Sequence, residues 1–178
     1  MLRPLHAYLQ DATRPLETFF ERHPHPVLVV APFESEEDPR FRTVAGPLLR
    51  PGGPAPRGPG EGAWVAPVTK RPGSNVFTAM VTLGRARNND IELNASTVSK
   101  FHAYVTLEAA GPVLVDAGST FGTFVNGQRL SPRRERHLLR SGDEVRAGQV
   151  AMTFLDPPAF LDLLRREGEG ERPERAAG

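Results

Sequence analysis

Asp116-Ala117-Gly118-Ser119-Thr120-Phe121-Gly122-Thr123-Phe124-Val125-Asn126-Gly127-Gln128-Arg129-Leu130 is the stretch whose reading decides the fold. Thr123-Phe124-Val125 and Gln128-Arg129-Leu130 read as two short strands. Asn126-Gly127 joins them, the pair favoured in a two-residue type I′ hairpin because both central positions need positive φ. The expected role of Asn126 and Gly127 is therefore structural. Gly118 and Gly122 allow sharp turns before the first of these strands.

Apolar runs alternate with Gly, Asn and Asp turn signals on both sides of this hairpin. They are Trp64–Val68, Val76–Leu83, Phe101–Leu107, Val113–Val115 and Gln149–Phe154, and such spacing predicts an all-β antiparallel sandwich. Within Phe101–Leu107, alternation puts Phe101, Ala103, Val105 and Leu107 on one expected core face and His102, Tyr104 and Thr106 on the other.

The ends of the chain read differently. Leu2, Leu5, Leu9, Leu16, Phe19 and Phe20 suggest a helical stretch interrupted at Arg14-Pro15 and ended by His23-Pro24-His25-Pro26, followed by a strand at Val27–Val30. Residues 1–50 are expected to be an N-terminal α/β appendage, or an arm that binds a partner. Nine of the twelve residues from Pro51 to Gly62 are Pro or Gly, which predicts a linker. The sandwich is placed at 63–156. A short helix is expected over 157–166, with Pro in its first turn and Asp156 as cap, and a disordered Gly, Glu and Arg tail over 167–178.

Composition narrows the function classes. The 22 basic and 21 acidic side chains nearly cancel, so no overall field points to nucleic acid or an anionic membrane. Any anion recognition must be local. The chain has no cysteine, which removes disulfides, thiolate nucleophiles and cysteine metal sites. No apolar run approaches the ~18 residues of a membrane span, and no secretory signal is read at the start, so a cytoplasmic location is expected. There is no phosphate-cradling glycine loop and no paired-histidine spacing for a metal, so neither cofactor nor metal is expected. No complete set of acid, base and nucleophile is present, and an enzyme is not expected.

Short polar motifs sit where the strand-like runs end: Gly84-Arg85, Asn89-Asp90-Ile91, Ser99-Lys100-Phe101-His102, Asp116-x-Gly118-Ser119-x-x-Gly122-Thr123, Asn126-Gly127, Gly142-Asp143 and Gly148. In their order and spacing they resemble the forkhead-associated (FHA) domain, a family of β-sandwiches that bind phosphothreonine peptides through loops at one end. The resemblance covers roughly residues 64 to 155 and implies an FHA-like sandwich of about 11 strands. A bias towards Ala, Arg, Gly and Pro points to a GC-rich bacterial genome.

The resemblance implies phosphate binding by Arg85 and Ser99 with Lys100 as helper, peptide binding by Thr120 and Phe121, and structural roles for Gly84 and His102. Chemistry agrees: a guanidinium at a strand end donates two hydrogen bonds to one phosphate, and a serine hydroxyl donates a third. Phe121 departs from the family, which commonly has an asparagine there to hold the peptide backbone. Two readings of Phe121 stay open, an apolar contact with the ligand or an inward core residue. Arg133, Arg134, Arg136 and Arg140 form a basic cluster, read as a solvated loop that can widen the positive rim.

The expected function is that of a phosphothreonine-peptide-binding adaptor module in Ser/Thr kinase signalling. Its partner would be a threonine-phosphorylated protein or peptide, with a Ser/Thr kinase as a further candidate, and neither nucleic acid nor membrane is expected. The alternative is a phosphorylation-independent interaction scaffold on the same fold, using Phe121 and residues 1–50 as its contact surface.

Overall fold

The computed structural model describes residues 2–33 and 62–170. The linker read over Pro51–Gly62 lies outside the described residues except for Gly62, and so does the tail from residue 171 onward. Two sheets face each other. One is seven-stranded, in the order β1 (Arg3–Pro4), β3 (Trp64–Pro67), β2 (Val27–Val30), β12 (Val150–Leu155), β11 (Glu144–Ala147), β8 (Thr123–Val125) and β9 (Gln128–Arg129). The other is five-stranded: β10 (His137–Leu138), β7 (Gly111–Asp116), β6 (Ala103–Glu108), β4 (Val81–Gly84) and β5 (Ile91–Glu92). All pairings are antiparallel except β4 with β5. This is the expected sandwich.

The main core lies between the sheets and includes Leu28, Leu83, Val105, Leu114, Val145 and Phe154. A second apolar layer covers the opposite face of the larger sheet. There a 3-10 helix (Leu5–Thr13), α1 (Leu16–Arg22) and α2 (Pro157–Gly170) bury Leu5, Tyr8, Phe19, Phe160 and Leu164 against Val27 and Val29. The uninterrupted apolar run of β2 follows from this, because Leu28 and Val30 face the inner core while Val27 and Val29 face the helices. Apolar burial is needed on both sides of that strand.

The structure revises the boundaries read from sequence. Strand β2 is hydrogen-bonded between β3 and β12, with Val30 opposite Trp64 and Met152, so residues 2–33 are part of the sandwich and its helical cover. A boundary at residue 63 does not divide this fold. The reason is non-local: β2 and β3 are neighbours although far apart in sequence, and lengthening a connection costs only about 0.6 kcal/mol per doubling. Helix α2 runs to Gly170, beyond the end expected at 166, with Asp156 Oδ1 accepting from the Ala159 N–H at 2.9 Å as its cap.

Two further expectations change. The run Val76–Leu83 is a strand only from Val81, and Val76 is exposed. In the run Phe101–Leu107, Ala103 and Val105 face the core, but Phe101 precedes β6 and is exposed, Leu107 is exposed, and His102 is fully buried. Phe101 stacks instead on Phe77 (centroids 5.8 Å apart) and Tyr104 (6.2 Å). Among the described residues no helix is long and apolar enough to cross a membrane.

Candidate functional site

Strand β4 ends at Gly84, and the loops that follow β4, β5 and β7 meet at that end of the sandwich. Backbone bonds fix the first two: Arg85 N–H donates to Ser99 O at 2.9 Å, Ala86 N–H to Lys100 O at 3.2 Å, and His102 N–H to Leu83 O at 2.9 Å. Asn89, buried, donates its amide to both Ala86 O (2.8 Å) and Lys100 O (2.7 Å), tying the loop of Arg85 to that of Ser99. Gly84 permits this approach, since a Cβ there would stand 2.5 Å from Lys100 O. The Arg85 guanidinium leans along the second loop, with Nε donating to Val98 O at 3.2 Å. Lys100, whose carbonyl takes part in this backbone tie, has an exposed side chain.

Ser99 joins the second loop to the third. Its Oγ accepts from Thr120 N–H at 3.1 Å and lies 3.5 Å from the Thr120 hydroxyl, while its N–H donates to His102 Nδ1 at 3.0 Å. Because Nδ1 accepts, the ring proton sits on Nε2 and is donated to Gly122 O at 3.2 Å. Burial pushes the His102 pKa below its usual value, and neither the Gly122 bond nor the Asp116 charge reverses this. A neutral imidazole thus bridges the second and third loops, as a brace and not as a base.

Asp116 organises the third loop from below. Its Oδ1 accepts from Gly118 N–H (2.8 Å) and Ser119 N–H (2.9 Å); its Oδ2 accepts from the Ser119 and Thr123 hydroxyls, both at 2.6 Å. Ser119 Oγ in turn accepts from Gly122 N–H at 3.0 Å. Burial alone would raise the Asp116 pKa, but the bonds from Ser119, Thr123 and Gly118 outweigh it and hold the carboxyl below its usual range. With Ser119 and Thr123 turned inward, Thr120 and Phe121 are turned out. Phe121 is 55% exposed, so the reading of it as a core residue is set aside.

A second buried carboxylate closes the loop after β4 and ties it to a segment outside the three loops. Asp90 accepts from Lys70 Nζ (2.7 Å), Ser74 Oγ (2.6 Å), Thr82 N–H (2.8 Å) and Arg71 N–H (2.9 Å), pinning residues 70–74 to β4. Its pKa is held well below the usual carboxylate range: burial raises it, and the Lys70, Ser74 and backbone bonds overcome that. Asn126 and Gly127 turn the β8–β9 hairpin with φ of 49° and 80°, and Asn126 also bonds Asp143 Oδ1 (2.8 Å) and Glu144 N–H (2.9 Å).

The structure thus brings Arg85, Ser99, Lys100 and Thr120 to one end of the sandwich, with Gly84 and His102 beneath them. Asn89 and Asp116 were quoted in the motifs but given no task. Asp-x-Gly-Ser is the pattern of an aspartate that caps its own turn, a signal that sequence reading can use. Among the described residues no group of His, Asp and Glu is arranged to hold a metal ion.

The family model described as the FHA domain matches residues 81–148. An oxoglutarate dehydrogenase inhibitor of Corynebacterium efficiens is 38% identical over 78 residues, 44% of this chain and 52% of that protein. The glycogen accumulation regulator GarA of Mycolicibacterium smegmatis is 39% identical over 79 residues, 44% of this chain and 48% of that protein. The chain therefore spans about half the length of these curated relatives. Among solved structures, the N-terminal FHA domain of S. cerevisiae Rad53p in complex with a phosphothreonine peptide has 30% identity and a TM-score of 0.41, covering 47% of this chain and 72% of that one.

Proposed function

We propose that this chain, which carries a forkhead-associated domain over residues 81–148, is a phosphothreonine-peptide-binding adaptor module in Ser/Thr kinase signalling. Arg85 and Ser99 bind the phosphate with help from Lys100, and Thr120 and Phe121 meet the peptide beside it. The observation that carries the reading is the closure of three loops onto one another by the Ser99–Thr120 and Arg85–Ser99 bonds. That closure brings Arg85, Ser99 and Lys100 into adjoining turns, which supports a shared site for a guanidinium, a hydroxyl and an ammonium. Donors of this kind bind a phosphate dianion without turning it over, since the one histidine beneath them is buried, neutral and engaged at both nitrogens. The partner is a threonine-phosphorylated client of a Ser/Thr kinase, in the cytoplasm, and the module acts by binding and not by catalysis.

The test is enrichment from an oriented phosphothreonine peptide library on the full chain, with the unphosphorylated library as control. The full chain is needed because a fragment starting near residue 60 would lack β2, the strand between β3 and β12. Arg85→Ala is expected to weaken binding by about tenfold or more, from the ~1.5–3 kcal/mol of a charge-assisted bond, with the melting transition retained. Loss of folding in that variant would make Arg85 structural. A folded chain that enriches no phosphopeptide would move the assignment to the phosphorylation-independent scaffold.

A further inference from the structure

Two arginines of the segment after the hairpin turn lie against the ligand loop. Arg129 leaves β9 opposite Phe124, and its side chain doubles back over Gly122: the point where a Cβ would stand is 2.6 Å from Nε, 3.1 Å from Cζ and 3.2 Å from Nη2. Arg133 does the same at the other glycine, the corresponding point on Gly118 being 2.9 Å from Nη2 and 3.0 Å from both Cζ and Nε. Near-equal distances to three atoms place the flat of the Arg133 guanidinium over Gly118. Any side chain at 118 or 122 would evict these cations, and both glycines also hold positive φ, 95° and 85°.

Arg133 is fixed further by its N–H on Asp116 O and its Nε on Ala117 O, both at 2.9 Å. It keeps φ of 59° to do so. The Arg133 guanidinium therefore arrives oriented, which lessens the side-chain entropy lost when a ligand binds, and Arg129 lies over Gly122 of the same loop. Neither has a carboxylate partner among the described residues, whereas Arg136 nearby pairs with Glu108. The one acid of the loop, Asp116, is buried and engaged by four hydrogen bonds, so it does not neutralise the rim.

The geometry points to Arg129 and Arg133 as specificity-determining residues that read an anionic side chain on the ligand outside its phosphothreonine. The client segment is accordingly an acidic phosphopeptide. This rests on the phosphothreonine reading of the site and adds to it. The anion is a carboxylate of Asp or Glu, or a second phosphate, and the arms of the test separate these sources.

The experiment measures the affinity of the full chain for phosphothreonine peptides of one sequence whose flanking positions carry Gln, Glu or phosphoserine. Wild type is expected to prefer the charged flanks by about fivefold for each arginine engaged, the upper range of an exposed ion pair. In R129Q/R133Q the preference disappears while affinity for the Gln-flanked peptide is kept. R129Q alone, which leaves the Arg133 anchor in place, loses part of it. R129K restores part of the charge preference. Preference for phosphoserine alone assigns the anion to a second phosphate. Equal affinity of wild type for all three peptides overturns the inference, as does a preference unchanged in the double variant. If wild type binds no phosphothreonine peptide, the underlying reading fails and this inference falls with it.

Discussion

The loop end of the sandwich and the helical back of its larger sheet are held by opposite means. At the loop end the buried groups are polar: Asn89 and His102 bond across to neighbouring loops at 2.7 and 3.2 Å, and Asp116, Ser119 and Thr123 bond within the loop after β7 at 2.6–3.0 Å. At the back they are almost all apolar, with Phe160 in ring contact with Tyr8 (5.5 Å), Phe19 (6.2 Å) and His23 (6.0 Å). The polar exception is Asp11, which accepts from Arg14 Nε (2.7 Å) and pairs with His23 Nε2 (3.0 Å) at the rim of that layer. Hydrogen bonds fix where an atom is to within a few tenths of an ångström, and apolar contact fixes only that surface is covered. Precision therefore belongs to the loops, and bulk stability to the back.

Truncation in the back separates the two most sharply. Phe160 is fully buried, and Phe160→Ala is expected to cost about 3–5 kcal/mol from lost burial plus the cavity left behind. Denaturant unfolding would read this. The comparison predicts that folded Phe160→Ala protein, studied well below its midpoint, keeps its phosphopeptide affinity. A parallel loss of affinity would mean that the back transmits to the loops and that the division is wrong.

This contrast explains what was legible in the sequence. Gly84-Arg85, Ser99-x-x-His102 and the Asp116–Thr123 run are visible because each loop atom needs a particular side chain at a particular spacing. The sandwich and the hairpin at Asn126-Gly127 were readable on the same ground. The helical layer was readable only as apolar periodicity, and Leu, Phe and Val at such spacing do not say which surface they cover. Val27–Val30 was seen as a strand, yet its place between β3 and β12 depends on pairings with residues 64–67 and 150–155 that no local pattern encodes. Phe101 shows the opposite error: alternation was extended two residues before β6 begins, where the backbone is bonded as a loop. Arg129 went unremarked because an arginine in a short hairpin strand looks like any solvated one until its guanidinium is found on Gly122.

Acidification tests the loop end more gently. Burial of the His102 ring holds its pKa below the usual 6.5, so the folded state binds fewer protons there than the unfolded chain does. Stability that is complete above about 6.5 is therefore lost as the pH falls below it, down to the folded pKa. The carboxylates have the same sign in a lower window: Asp116 sits below the usual 3.8, so its contribution is present above that value and lost as the pH falls through the folded pKa. Melting temperatures between pH 8 and 5 should decline in wild type and flatten in His102→Asn. Phosphopeptide affinity through this brace should hold until the folded ring itself takes a proton, below the usual value, because only then does the ring have no acceptor left for the Ser99 N–H. A wild-type profile that is level down to pH 5 would remove His102 from this account.

Phe121 isolates function from stability altogether. Its ring is more than half exposed at the tip of a loop whose shape is set by Asp116, Ser119 and Thr123, so Phe121→Asn is expected to leave the melting temperature unchanged within experimental scatter. What changes is the ligand. An asparagine adds a donor and an acceptor for an extended peptide backbone, worth about 0.5–1.5 kcal/mol, or up to roughly tenfold in affinity. The same substitution removes an apolar surface that an aliphatic or aromatic ligand side chain can cover. The two effects are separable on one peptide array: Phe121→Asn should gain affinity for most phosphothreonine peptides while losing any enrichment of apolar residues seen in wild type. Unchanged affinity and unchanged enrichment would place Phe121 outside the contact, and the ligand would then cross the rim on the side of Arg85 and Lys100 alone.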